Sequence, residues 1–208
     1  MTQAATTADP GASAEPGFAA PAVDSALAFR ALLDAMARPG VALRAPPVSA
    51  AAEPLSQAAT VALLTLADPD APVWFAADMR SPQTERLARF FLGAAPTEQP
   101  ERAAFACGRF PALEKQPFPT GNSEFPDRST TLIVETDGFD PGAADAARLR
   151  LSGPGIDGAA QLSVAGLGPQ FTPWIRENRA LFPLGLDLLL VHGDQLVGLP
   201  RSTMVEAV

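Results

Sequence analysis

Leu186-Asp187-Leu188-Leu189-Leu190-Val191-His192-Gly193-Asp194-Gln195-Leu196-Val197-Gly198-Leu199-Pro200 decides the fold. Two apolar runs, Leu186–Val191 and Gln195–Leu199, flank His192-Gly193-Asp194. Gly followed by Asp between two such runs is a hairpin signal, so the runs form an antiparallel strand pair. Asp187 puts a charge at the start of a strongly apolar strand and needs a partner. Arg201, just past Pro200, can supply it. A structural ion pair accounts for the two residues, although Arg201-Ser202-Thr203 also offers donors to an anion.

Upstream of the hairpin, Thr172-Pro173 opens a helix through Trp174, Ile175 and Leu181, and Pro183 closes it. Leu149–Leu151 reads as a strand that enters Gly153-Pro154-Gly155, and Ala160–Val164 can pair with it. Thr130–Glu135 is a strand by its β-branched content. Phe110 to Arg128 is dense in Pro, Gly and polar residues and reads as a long surface loop with room for one short helix. Ala103–Cys107 is a further strand. Val73–Ala76 is apolar throughout, as in a strand buried on both faces.

In the first half, Ser81-Pro82 caps a helix with Leu87, Phe90 and Phe91 on one side. Ser56 to Ala67 is a helix with Leu55, Ala59, Ala62 and Leu66 on one face, and Asp68-Pro69-Asp70 ends it. Asp24 caps the first helix, whose residues Phe29, Leu32, Leu33 and Met36 share helical spacing. Pro39-Gly40 stops that helix, and Val41–Leu43 is a short strand. Residues 1–23, rich in Ala, Thr, Pro and Gly, read as a flexible N-terminal extension. Residues 24–208 read as a single α/β domain: a layered sheet with helices on both faces.

Charge and composition exclude several functions. The chain has 208 residues, with 15 basic against 23 acidic side chains and a formal net charge of −8. That balance repels phosphate backbones, so no nucleic-acid partner is expected. No apolar run is long enough to span a bilayer, and no signal peptide is recognisable, which points to a cytoplasmic protein without membrane contact. Cys107 and His192 are each the sole residue of their kind. Neither a disulfide nor a Cys/His zinc site follows, and no metal is expected.

The candidate chemical motifs read as structural. Gly153-Pro154-Gly155-Ile156-Asp157-Gly158 matches the dinucleotide pattern in letters, but Pro154 removes an amide and no helix follows. A turn between strands explains it. Lys115, the only Lys, sits in a loop and is not placed to form a Schiff base. His192 fits a turn, and Cys107 ends an apolar run as a buried thiol would. Asp68, across Pro69 from Asp70, either shapes the turn or helps bind a phosphate-bearing substrate through a cation. The loop Phe118–Arg128 sets Phe118, Phe125 and Arg128 apart from any core periodicity. Those three are candidate partner contacts, with an active-site lid as the alternative.

Four segments in order resemble a known family. They are Phe29-Arg30 with Leu32-Leu33, Ala35-Met36 and Pro39-Gly40; Leu63–Asp68 with Pro72 and Trp74; Leu151 with Gly153–Ile156; and Phe182–Asp187 with Leu199–Thr203, Val205 and Glu206. From about residue 24 onward the chain resembles the H subunits of the bacterial carbon–phosphorus lyase system for phosphonate breakdown. The resemblance implies a three-layer α/β/α sandwich similar to the large domain of pyridoxal-phosphate-dependent transferases, without that cofactor. It implies a homodimer in isolation and a core complex with the G, I and J subunits. It further implies a role, with the G, I and L subunits, in moving ribose 5-triphosphate from ATP onto methylphosphonate with displacement of adenine. No catalytic residue carries over, which favours an assembly subunit. The alternative is a small phosphate-handling enzyme that uses Asp68, Asp187 and Arg201.

Overall fold

The structure is a computed structural model that describes residues 15–94 and 96–208. At its centre is a six-stranded mixed sheet. The strands, in chain order, are β1 (Leu43–Arg44), β2 (Val73–Phe75), β3 (Phe105–Arg109), β4 (Thr131–Glu135), β7 (Asp187–His192) and β8 (Gln195–Leu199), and their spatial order is β1-β8-β7-β4-β3-β2. β2, β3, β4 and β7 run parallel, and β8 is antiparallel to both its neighbours. The terminal hairpin forms as its sequence predicts: His192 pairs with Gln195 across Gly193-Asp194. Gly193 takes the positive φ, 56°, that such a tight turn demands.

Alternation along the strands divides the core. Phe75, Cys107, Ile133, Leu189, Val191 and Leu196 face one side. Helices α1 (Pro21–Ala37) and α2 (Gln57–Leu66) cover them, with α3 (Pro82–Arg86) running on into a wider turn over Leu87–Phe91. α1 lies directly on β8, because a Cβ on Gly198 would sit 2.5 Å from the Ala35 carbonyl oxygen. A glycine at that strand position is what allows helix and sheet to meet so closely.

The other side differs from the sequence expectation. A second sheet, with β5 (Ala147–Ser152) between β6 (Ala160–Val164) and β9 (Met204–Ala207), covers it together with α5 (Phe171–Ala180) and the short α4 (Phe110–Leu113). Leu149, Leu151, Leu162 and Val205 of that sheet meet Leu132, Leu188, Val197 and Leu199 of the central one. The chain is therefore mixed α/β, with one helical layer and one layer built of strands and helix. Pairing of β5 with β6 follows the sequence reading, and Gly153-Pro154-Gly155 is the turn between them.

Three local expectations need correction. α1 begins at Pro21, not Asp24; the Asp24 carboxylate instead accepts the Ala20 N–H at 2.8 Å from within the first turn. Phe18 packs against the core ahead of it, so residues 15–23 join the fold, while residues 1–14 of the expected extension lie outside the described residues. On α1 the buried residues are Ala28, Leu32 and Ala35, and Phe29 and Leu33 are exposed. Close approach to β8 favours small side chains inward and turns the large ones out. Phe90 and Phe91 likewise face outward, because the wider turn after α3 shifts the helical phase away from Leu87, which is buried.

No helix among the described residues is long and apolar enough to cross a membrane.

Candidate functional site

Asp187 and Arg201 form the ion pair that their sequence context calls for. The Arg201 backbone N–H donates to Asp187 Oδ1 at 2.8 Å, and its Nε reaches both carboxylate oxygens at 3.2 Å. The guanidinium has further partners. Nη1 donates to the Pro126 carbonyl oxygen at 2.6 Å, and Nη2 donates to the Ser129 hydroxyl and to Asp187. Both side chains are largely withdrawn from water. The pair thus fastens the 118–129 loop to the start of β7, and all three guanidinium nitrogens are engaged within the fold.

Asp68 does not join them. It is exposed at the end of α2, where its Oδ1 accepts the Asp70 N–H at 2.9 Å in a local turn. Among the described residues it has no ion pair or hydrogen bond to Asp187 or Arg201.

The loop separates its three predicted contact residues. Phe118 is only 7% exposed and packs edge-on against Trp74, with ring centroids 5.4 Å apart. It belongs to the core, because the short helix Phe110–Leu113 draws the first part of the loop inward. Phe125 is 40% exposed, and the Arg128 guanidinium lies 3.9 Å above its ring. A second pair of the same kind stands nearby: Arg179 lies 4.8 Å above the ring of Phe182, which is exposed. The Gly185 N–H donates to the Thr120 carbonyl at 2.9 Å and joins the two loops. Arg179 Nε also donates to the Ser202 carbonyl at 3.1 Å, beside Arg201.

A polar cluster that sequence reasoning missed sits at the carboxyl ends of the parallel strands, where open α/β sheets commonly bind ligands. Glu135 ends β4 and is buried; its Oε1 accepts the Ser56 N–H at 2.7 Å, at the cap of α2. Burial raises its pKa, against the opposing effects of the Ser56 hydrogen bonds and of Arg109 and His192. Arg109 pairs with Asp137 at 2.7 Å, and that hydrogen bond raises its pKa further. Cys107, fully buried beneath, has a thiol pushed well up by burial and by Glu135. His192 Nδ1 lies 3.0 Å from the Thr136 carbonyl. Charged residues closing otherwise apolar strands, Glu135 and Arg109, were the available signal. Lys115 lies on the surface beside Glu114. No three His, Cys, Asp or Glu side chains converge as metal ligands among the described residues.

The cluster is largely satisfied from within: carboxylate by amide, guanidinium by carboxylate, imidazole beside a carbonyl. On the two loops, Arg128 and Arg179 instead stack on the exposed rings of Phe125 and Phe182.

Comparison with known proteins agrees with the family resemblance. Residues 16–206 match the family described as bacterial phosphonate metabolism protein (PhnH). The chain is 35% identical over 193 residues to the alpha-D-ribose 1-methylphosphonate 5-triphosphate synthase subunit PhnH of Rhizobium meliloti (strain 1021), covering 91% of this chain and 94% of that protein. It is 33% identical over 178 residues to the putative C-P lyase subunit protein HtxG of Stutzerimonas stutzeri, covering 86% and 84%. A match spanning both halves of the central sheet and the terminal hairpin places the chain in the bacterial phosphonate metabolism protein (PhnH) family.

Proposed function

We propose that the protein is a non-catalytic assembly subunit of a carbon–phosphorus lyase complex in the cytoplasm. In this reading it acts with the G, I and L subunits in transferring ribose 5-triphosphate from ATP to methylphosphonate, and it joins the G, I and J subunits in a core complex. The observation that carries the reading is the state of its best candidate site residues. Arg201 is spent on Asp187, Pro126 and Ser129, and Asp68 is spent on a turn. An enzyme built on Asp68, Asp187 and Arg201 would need those three together and open. The printed names of both relatives, a synthase subunit and a putative C-P lyase subunit, support the assignment.

In isolation the protein is a homodimer in this reading, and the outer face of α1 is the surface assigned to it. Phe29 and Leu33 are exposed there beside Arg30 and Asp34. Two antiparallel copies of that face would set each Arg30 near the other's Asp34. In this reading residues 24–208 act as one domain, with Phe18 packed on its core just ahead of them, and a likeness to the large domain of pyridoxal-phosphate-dependent transferases would rest on the central mixed sheet, since a second sheet shares the covering of one face.

The test is co-expression of the tagged chain with the G, I, J and L subunits. Recovery of a stoichiometric assembly that releases adenine from ATP and methylphosphonate supports the reading. Adenine release by this chain alone would replace it with an enzyme. A Leu33→Asp variant should run as a monomer in light scattering and keep its melting temperature.

A further inference from the structure

We infer that the outer edge of β6 docks an extended segment of another subunit, one apolar residue between two polar ones, which joins the three-stranded sheet as a further strand. The inference rests on the assembly reading above and names the surface and the chemistry of what it holds.

A few hydrogen bonds fix which way the backbone of β6 points. The Val208 N–H donates to the Arg148 carbonyl at 2.9 Å, so Arg148 and Arg150 of β5 turn toward β9. Ala147, Leu149 and Leu151 then turn toward β6, where they face Val164, Leu162 and Ala160. Gln161 and Ser163 are left pointing away from β5. Ala165, next in that phase, bears this out on the open side: its N–H donates to the Gly138 carbonyl at 2.9 Å, and its carbonyl accepts the Asp137 N–H at 3.0 Å. The Gly138 segment follows β6 no further. The N–H and C=O of Gln161 and of Ser163 have no partner among the described residues.

The other sheet edges are short or covered. β1 has two residues. On β2 the Val73 carbonyl accepts the Thr97 N–H at 2.9 Å. On β9 Arg176 Nε reaches the Val205 carbonyl at 3.4 Å, and just ahead of it Arg179 Nε reaches that of Ser202 at 3.1 Å. Ala160–Val164 also lacks the charges, Pro and bulges that keep an edge from pairing. Amides and carbonyls at that alternating spacing are complementary to the backbone of an extended chain.

The flanks select the segment's side chains. Leu162 faces the core, and Phe139 and Ile156 are half-buried against the same cluster, so the residue opposite Leu162 is apolar. Gln161 is exposed on the outer face, where the segment's two polar residues fall. A second copy of this chain fits poorly. Paired antiparallel about Leu162, its Ala159 would fall opposite Ala165, where Gly138 already sits, and the same overlap recurs at the other end. A segment that stops opposite Val164 meets no such obstacle.

The experiment co-expresses the tagged chain with the G, I and J subunits and compares wild type, Ser163→Pro and Q161A/S163A. Hydrogen exchange, resolved by residue, is measured on wild type alone and in the recovered assembly. Ser163→Pro deletes an outward N–H and spares the ladder to β5, so it should melt within several degrees of wild type yet recover at least about tenfold less of the other subunits. Q161A/S163A keeps both amides and should recover them normally. In the isolated chain the Leu162 and Val164 amides should exchange slowly and those of Gln161 and Ser163 fast; in the assembly the latter two should slow by at least about tenfold. If Ser163→Pro fails to fold, the wild-type exchange decides alone. Fast exchange of both amides in the assembly overturns the docking edge and leaves the assembly reading standing. An equal loss of recovery with Q161A/S163A overturns it too, since the contact would then run through side chains. Protection already present in the isolated chain, whether or not it grows with concentration, gives the edge to this chain or a second copy and overturns the proposal. Failure of wild type to recover any subunit overturns the assembly reading, and this inference with it.

Discussion

Ser56 donates its backbone N–H to Glu135 Oε1 at 2.7 Å, so the cap of α2 and the end of β4 are held as one unit. The arrangement gives the first prediction. Burial holds the folded-state pKa of Glu135 above its unfolded value. Between those two values the native protein binds the extra proton. The group's stabilising contribution is therefore full below the unfolded pKa, about 4.3, and is lost as pH rises through the folded pKa. Glu135→Gln keeps an acceptor for Ser56 and removes the buried charge. It should be at least as stable as wild type at neutral pH, and the gap should close on acidification. Glu135→Ala should lose about 1–3 kcal/mol, because the amide is left without its partner. Urea titrations of the three proteins between pH 4 and 8 decide it; a gap that widens on acidification contradicts the assignment.

Arg201→Met should destabilise by about 3 kcal/mol, since it strands a carboxylate that is mostly withdrawn from water. For a domain of this size that corresponds to a drop in Tm of roughly 6–12 °C. The double variant D187L/R201M should lose less than the sum of the single variants, because neither charge is then left alone. Strict additivity would mean that the two side chains are not coupled.

Phe118 and Phe125 are seven positions apart in one loop and should behave oppositely. Phe118→Ala empties a space against Trp74 and should cost about 3–5 kcal/mol, with a shift in Trp fluorescence. Phe125→Ala should stay within about 0.5 kcal/mol of wild type. Equal losses would contradict the placement of Phe118 inside and Phe125 outside.

Gly155 has φ +82°, and a Cβ there would lie 2.2 Å from the Ala37 carbonyl oxygen at the end of α1. Gly155→Ala should therefore cost at least about 3 kcal/mol, from overpacking and left-handed strain together. Gly158 has φ +67° and open space, so Gly158→Ala should cost only about 1 kcal/mol. Chemical denaturation of the pair measures the difference, and similar losses would remove the packing role given to Gly155.

What the sequence made legible follows from where the signal was local. The hairpin, the β5–β6 turn and the Ser81 cap each depend on a few adjacent residues, and each formed as read. The Asp187–Arg201 pair was legible because an acid at the head of an apolar strand requires a counter-charge. The second sheet was not legible, because β9 reaches β5 from more than fifty positions away with only Met204–Ala207 to mark it. The outward turn of Phe29 and Leu33 was hidden for a similar reason. Helical spacing identifies an apolar face, but which part of it meets the sheet depends on Gly198, a distant residue whose missing side chain sets the approach. The Glu135 cluster was hidden because its members come from three strands and a helix cap.

Arg201 is the last of its bonding partners to leave the ribosome: Pro126, Ser129 and Asp187 all precede it, the first by 75 positions. During synthesis the loop is therefore untied while the central strands are already available to pair. It takes its final shape only when this one guanidinium arrives. A nascent chain that stops short of Arg201 would carry most of the core yet would leave the 118–129 loop unfastened. Closure of the loop is thus separated from the loop's own synthesis by the 72 positions between Ser129 and Arg201.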